Sequence, residues 1–172
     1  MTINQSFYTI DSTDDISRAL SEARRDGCEL TYSNAVFSIY GKVGSSILVD
    51  DSLAGLHVVA FGPAPVVVSG SETLVQVKGS AVAYATEGSR VDAYDSATVY
   101  AYDRARVIVS MESSVYVASD DVLVDAHGDS KVYLPAYPRA GAFAEVDLRS
   151  DYATLQVAGE KPYRRVDEPA AV

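Results

Sequence analysis

From residue 89 to residue 120 the chain repeats itself every eight residues. Ser89-Arg90-Val91-Asp92-Ala93-Tyr94-Asp95-Ser96 is followed by Ala97-Thr98-Val99-Tyr100-Ala101-Tyr102-Asp103-Arg104. Ala105-Arg106-Val107-Ile108-Val109-Ser110-Met111-Glu112 and Ser113-Ser114-Val115-Tyr116-Val117-Ala118-Ser119-Asp120 come next. Each unit reads small-x-Val-x-Ala/Val and then three turn-type residues. A helix does not suit this period, because eight is not a whole number of turns at 3.6 residues each. Five residues of strict alternation are strand periodicity. The remaining three change the chain's direction, a task that short polar residues and Gly perform well.

The branched central position can be followed in both directions, as Val58, Val66, Leu74, Val82, Val91, Val99, Val107, Val115, Leu123 and Val132. Two steps are nine residues long on this reading, with the extra residue assigned to turns containing Gly88 and Gly128. Ile39 and Ile47 extend the pattern upstream, and Leu53 to Leu56 breaks phase. The repeat therefore spans about residues 37–134.

A β-solenoid and an antiparallel meander both fit such units. The inward residues are small and regular, as in Ala93, Ala97, Ala101 and Ala105 around Val91, Val99 and Val107. Columns of small side chains fit a narrow coil whose rungs pack only on their neighbours. Asn-Gly and Asp-Gly, the strongest hairpin signals, are missing between these strands. The expectation is an all-β, single-domain β-solenoid, or parallel β-helix, built from eight-residue rungs. Sixteen residues per coil give two faces and twenty-four give three. At spacing sixteen, Tyr100, Tyr116 and Tyr133 form one outward column and Asp92, Ile108 and Val124 another, which favours two.

The ends read differently. Residues 14–27 have acid first, arginines in the last turn and Gly27 beyond, the pattern of a short helix. A helix there would cover an open solenoid end, which otherwise invites edge pairing. Pro135 and Pro138 stop the repeat, and Val146, Leu148, Leu155 and Val157 predict a closing hairpin around residues 149–152. The division is thus an N-terminal cap at 1–36, the solenoid at 37–134, and a C-terminal cap with a polar tail at 135–172.

The octads Ala97-Thr98-Val99-Tyr100-Ala101-Tyr102-Asp103 and Ser89-Arg90-Val91-Asp92-Ala93-Tyr94-Asp95 resemble a short-period repeat of many bacterial and phage proteins. In those, units of the type A-x-V-x-A-x-D/G form β-solenoids. The resemblance covers roughly residues 58–134. It implies architecture, and it points toward an accessory protein of a phage or mobile element. It implies no activity, since the repeats supply shape.

Composition narrows the partners. With 14 Lys+Arg against 24 Asp+Glu, the formal charge is −10. That argues against direct binding to nucleic acid and is compatible with a basic protein partner. No apolar run is long enough to span a membrane, and Met1 to Gln5 does not read as a signal peptide, so the expectation is cytoplasmic. The single cysteine, Cys28, can form neither an internal disulfide nor a zinc cluster.

Candidate chemistry is sparse. Hexapeptide-repeat acyltransferases have a six-residue period and usually a catalytic histidine, whereas this chain has period eight and only His57 and His127. His57 reads as a surface residue. Asp125, His127 and Asp129 share one corner, but turns collect such residues without binding metal. The pairs Asp50-Asp51 and Asp120-Asp121 are adjacent, so they cannot face each other across a sugar. The reading is no enzyme, no cofactor and no metal.

Surface pattern remains. Tyr100, Tyr116 and Tyr133 are expected outward on successive coils, with Tyr94 and Tyr102 in corners. Asp92, Asp95, Asp103 and Glu112 supply acid around them, and Ile108 adds an exposed apolar position. Tyrosine buries much area at small entropic cost, so such a face is suited to docking. Stacking along the sheet is the alternative role for the same residues. The expected function is a non-enzymatic, protein-binding accessory or inhibitor. Its concrete form is a phage-encoded protein directed at a nucleic-acid-handling host defence complex through an acidic, tyrosine-bearing face. The alternative is a structural solenoid that self-assembles into a filament or virion component. A homodimer through the tyrosine face is a further option, because exposed apolar columns want cover.

Overall fold

The computed structural model describes residues 28–33, 36–44, 46–51, 57–119, 121–134, 145–150, 152–157 and 164–165. These hold the strands β1 (Cys28–Ser33), β2 (Val36–Gly41), β3 (Ile47–Val49), β4 (His57–Phe61), β5 (Val66–Val68) and β6 (Leu74–Val77). Next come β7 (Val82–Ala85), β8 (Arg90–Ala93), β9 (Thr98–Ala101), β10 (Arg106–Val109) and β11 (Ser114–Val117). The last are β12 (Leu123–Ala126), β13 (Lys131–Leu134), β14 (Glu145–Leu148), β15 (Thr154–Val157) and β16 (Arg164–Arg165). The helix expected over 14–27 lies outside the described residues.

From β2 onward, successive strands alternate between two sheets. Sheet I has the order β1-β2-β4-β6-β8-β10-β12-β14-β16, and sheet II the order β15-β13-β11-β9-β7-β5-β3. Neighbours within each sheet are parallel, as in β8-β10 and β9-β11. The exception is the antiparallel pair β1-β2 at one end. The chain is a parallel β-solenoid with two faces. Val91 pairs with Val107 and Val99 with Val115, sixteen residues apart. Val107 pairs with Val124 and Val115 with Val132, one residue more.

The alternation read from the octads is the alternation of burial. Ala97, Val99 and Ala101 are fully buried, while Thr98 and Tyr100 face outward. The space between the sheets is filled almost entirely by Val and Ala, with Ile39 and Ile47 near one end. Side chains this short let both sheets approach closely.

In two places the phase of the repeat differs from the expectation. Val75, Ala83 and Val124 are the buried central residues, and Leu74 and Leu123 are 36% and 38% exposed. The nine-residue steps therefore run from Val66 to Val75 and from Val115 to Val124. Their extra residues sit in the corners 69–72 and 118–121, not beside Gly88 and Gly128. Burial of the small residues decided the phase: Ala81, Ala83 and Ala85 all fill the core, and Val82 does not. One consequence is that Asp125 points outward and Val124 inward.

The closing hairpin is also corrected. β14 pairs in parallel with β12 and β15 with β13, so these strands continue sheets I and II rather than pairing with each other. Their branched residues fit the same narrow interior as the octads: Val146 is buried and Leu155 packs against the core.

Corners are tight turns, and the two edges of the solenoid use different ones. Where the chain leaves sheet I, the middle residue of each three-residue corner has positive φ: Gly62, Gly79, Asp95, Met111 and Gly128. Where it leaves sheet II by a three-residue corner, two residues in succession do, as Glu87-Gly88 and Asp103-Arg104, whereas the longer corner 69–72 has Gly70 alone. The second pattern, closed by Ser89 N–H to Thr86 O (3.0 Å) and Ala105 N–H to Tyr102 O (2.9 Å), meets the φ requirement of a type I′ turn. Such turns join strands of different sheets here because each strand's hydrogen bonds are taken by the rungs above and below.

Candidate interaction surface

Each face is a grid. Rungs repeat at about 4.8 Å along the axis, and outward residues recur every second position along a strand. On sheet II the central column runs Leu48, Val67, Tyr84, Tyr100, Tyr116, Tyr133, Gln156. The four tyrosines stack in series. Ring centroids are 5.2, 5.1 and 4.5 Å apart, with interplanar angles of 14°, 17° and 8°. In-register parallel pairing of identical residues produces this directly. Strands β7, β9, β11 and β13 contain one charged residue, Lys131. Tyr84 belongs to the ladder but was missing from the expected column, because taking Val82 as inward placed Tyr84 inward too. The run Ala81-Val82-Ala83-Tyr84-Ala85 carried the signal, since three alanines alternate with larger residues.

The acid is elsewhere. Asp95 and Glu112 lie in the corners that leave sheet I, and Asp103 lies in a corner that leaves sheet II. Asp129 joins the first edge, and Glu87 and Asp121 the second, so both rims of the tyrosine face carry carboxylates. The carboxylates of Asp95 and Glu87, and the backbone of Asp103, also tie rungs together. Gly79 N–H donates to Asp95 Oδ2 (2.9 Å), Ser69 Oγ–H donates to Glu87 Oε2 (2.7 Å), and Asp103 N–H donates to Ser119 Oγ (2.7 Å). Asp51, one of the adjacent carboxylate pair, accepts from Glu72 N–H and Thr73 Oγ1 and so serves a corner. Tyr102 is half-buried at the end of β9, on the ladder's side. Tyr94 belongs to the opposite face, where Lys78 Nζ lies 5.6 Å from its ring centroid.

Sheet I presents a different surface. Its outward columns are Leu74, Arg90, Arg106, Leu123 and Gln76, Asp92, Ile108, Asp125, Asp147. Asp92 and Ile108 are thus neighbours, as expected, but on the face opposite the tyrosine ladder. The structure therefore does not bring the ten candidate residues into one patch. Tyr100, Tyr116, Tyr133 and Tyr102 share sheet II, Asp92, Ile108 and Tyr94 share sheet I, and Asp95, Asp103 and Glu112 border both. A groove of about 320 Å³ runs over sheet I, lined by Arg90, Asp92, Arg106, Ile108, Leu123, Asp125, Asp147 and Arg149, with Val107 and Val124 beneath. Arg149 Nε contacts Asp147 Oδ2, and its guanidinium lies 3.9 Å from Asp125. Burial pushes the Asp92 carboxyl above its ordinary value of 3.8, against the opposing charges of Arg90 and His57.

Among the described residues no trio of metal-ligating side chains converges, and no helix is long and apolar enough to cross a membrane. No family model matches the chain, and neither does any curated protein or solved structure.

Proposed function

We propose that this solenoid is a non-enzymatic, protein-binding accessory or inhibitor protein that docks its partner on sheet II. The tyrosine ladder carries the reading: four in-register rings form a flat, uncharged strip, and Tyr116 is 37% exposed. Rigid aromatic groups lose little entropy on binding. Both rims of the strip are acidic. A second copy docking face to face would set acidic rim against acidic rim, so the charge favours a partner whose contact strip is edged by Lys and Arg. Proteins that handle nucleic acid have basic grooves of that kind. A nucleic-acid-handling defence complex of a phage host is the concrete target, and steric occlusion the mode of action.

The test uses the immobilised full chain in lysate of its bacterial host, with bound protein identified by mass spectrometry at low and high salt. The expected result is one stoichiometric partner with a basic groove, released by salt. It should be lost when Tyr100, Tyr116 and Tyr133 are changed to serine and retained when Gln76, on sheet I, is changed to serine. Circular dichroism checks that the triple variant keeps its strands. Undiminished capture by that variant would refute docking on sheet II. Large self-assemblies in light scattering, with no partner, would favour the structural alternative.

A further inference from the structure

We propose that Arg90 and Arg106 form a binding site on sheet I for a phosphate monoester that carries an apolar group. The two arginines are in register on adjacent rungs, so their side chains leave the sheet about 4.8 Å apart. Both are exposed. Among the described residues, neither has a carboxylate within ion-pair distance. Sheet I has one other adjacent pair of like charges, Asp125 and Asp147, and there Arg149 contacts both members. A dianion held between Arg90 and Arg106 would do for the arginines what Arg149 does for the aspartates. The same contacts leave Asp125 and Asp147 already answered within the groove, and Asp92 is half-buried.

Charge and shape select the ligand class. One guanidinium fork fills both oxygens of a carboxylate, whereas a phosphoryl group has three oxygens and a charge near −2 for two forks. The groove is larger than a phosphate needs, and its size falls at the low end for small-molecule sites. Its lining includes apolar side chains beside Arg106: Leu123 follows Arg106 in the same column, and Ile108 stands next to it on β10. The chain's overall acidity acts at a distance and is screened beyond about 8 Å at physiological salt, so direct contact decides binding. This site lies on the face opposite the tyrosine ladder, and the two proposals can fail separately.

Isothermal titration of the full chain with phenyl phosphate and with inorganic phosphate, in chloride buffer, tests it. Saturable one-site binding is expected, with phenyl phosphate about tenfold tighter because its ring covers Leu123 and Ile108. Arg90→Gln and Arg106→Gln should each weaken both ligands about tenfold or more. Leu123→Ser should erase the preference for phenyl phosphate and leave inorganic phosphate unchanged. Lys131→Gln, on the other sheet, should change nothing. No saturable heat with either ligand at millimolar concentration, or arginine variants that bind as the parent does, overturns the site. Equal affinity for the two ligands overturns the apolar part. Unchanged circular dichroism keeps each variant interpretable.

Discussion

Met111 holds φ at 60°, a conformation its neighbours one rung away assign to Gly128 and Asp95. Left-handed backbone costs an ordinary residue about 1–2 kcal/mol, while Gly adds about 0.5–1 kcal/mol of unfolded-state entropy. Met111→Gly is therefore expected to stabilise the fold by about 0.5–1 kcal/mol. Arg104, at φ 64°, should respond in the same direction. Chemical denaturation reads both, and a destabilised Met111→Gly would mean that its side chain contributes packing beyond the corner. The buried serines separate in a similar way. Ser113 Oγ accepts from Ser110 N–H (2.8 Å) and donates to Ser110 O (2.6 Å), whereas Ser130 Oγ has no partner among the described residues. Ser113→Ala should cost about 1 kcal/mol and Ser130→Ala nothing or less. Asp92 gives a pH signature. Its folded pKa lies above the unfolded 3.8, so the folded state binds more protons between those values. Ionisation of Asp92 thus works against folding as pH rises through that window. Asp92→Asn should melt higher than the parent at neutral pH and lose that advantage below pH 3.8. These local features were only partly legible. Asp in a corner is a familiar turn choice, but nothing in the letters Ser110-Met111-Glu112 marks Met111 as left-handed.

At the scale of the strand, identical residues stack because parallel pairing is in register. Tyr100 and Tyr116 each have a stacked ring on both sides, and Tyr84 and Tyr133 on one. Each aromatic pair contributes about 0.5–1.5 kcal/mol beyond its area. Tyr116→Ser should therefore cost roughly twice what Tyr133→Ser costs, and Tyr116→Phe little. Equal losses in a thermal melt would show that the rings stack without coupling. The strand period, the inward Val and Ala, and the outward tyrosines were all readable from the octads. The phase failed where Leu74, Val82 and Leu123 competed with a neighbouring valine or alanine for the central position. A rule based on branching picks the larger residue, but a core this thin picks the smaller pattern around it. Asp125 was the warning, since the wrong phase turned a carboxylate inward. The division of tyrosine and acid between faces followed from strand order and corner position, which spacing alone left open between two and three sides.

For the whole molecule, the two kinds of corner mean that the coil, not the octad, is the unit of construction. Deleting residues 98–113 removes one complete coil and joins Ala97 to Ser114. β11 then takes the place of β9 beside β7, which puts Tyr116 next to Tyr84, in the register that Ser114↔Thr98 already defines. Deleting only 98–105 joins Ala97 to Arg106 and shifts every later strand to the other sheet. The buried Val107 and Val109 would still point inward, so hydrophobic patterning alone does not forbid it. What suffers is the surface and the edges. Arg106 and Ile108 would lie against Val82 and Tyr84, the ladder would divide between the sheets, and Met111 would have to turn a three-residue corner of the kind that uses two left-handed residues at 87–88 and 103–104. Repeat proteins lose stability in proportion to the units and interfaces removed, so octad equivalence would make the shorter deletion the milder one. The opposite order is expected. The sixteen-residue deletion should unfold cooperatively at a modestly lower temperature, and the eight-residue deletion at a lower temperature still. If the eight-residue variant proved the more stable, the corners would be interchangeable, and the separation of an aromatic face from an arginine-bearing one would owe nothing to the architecture.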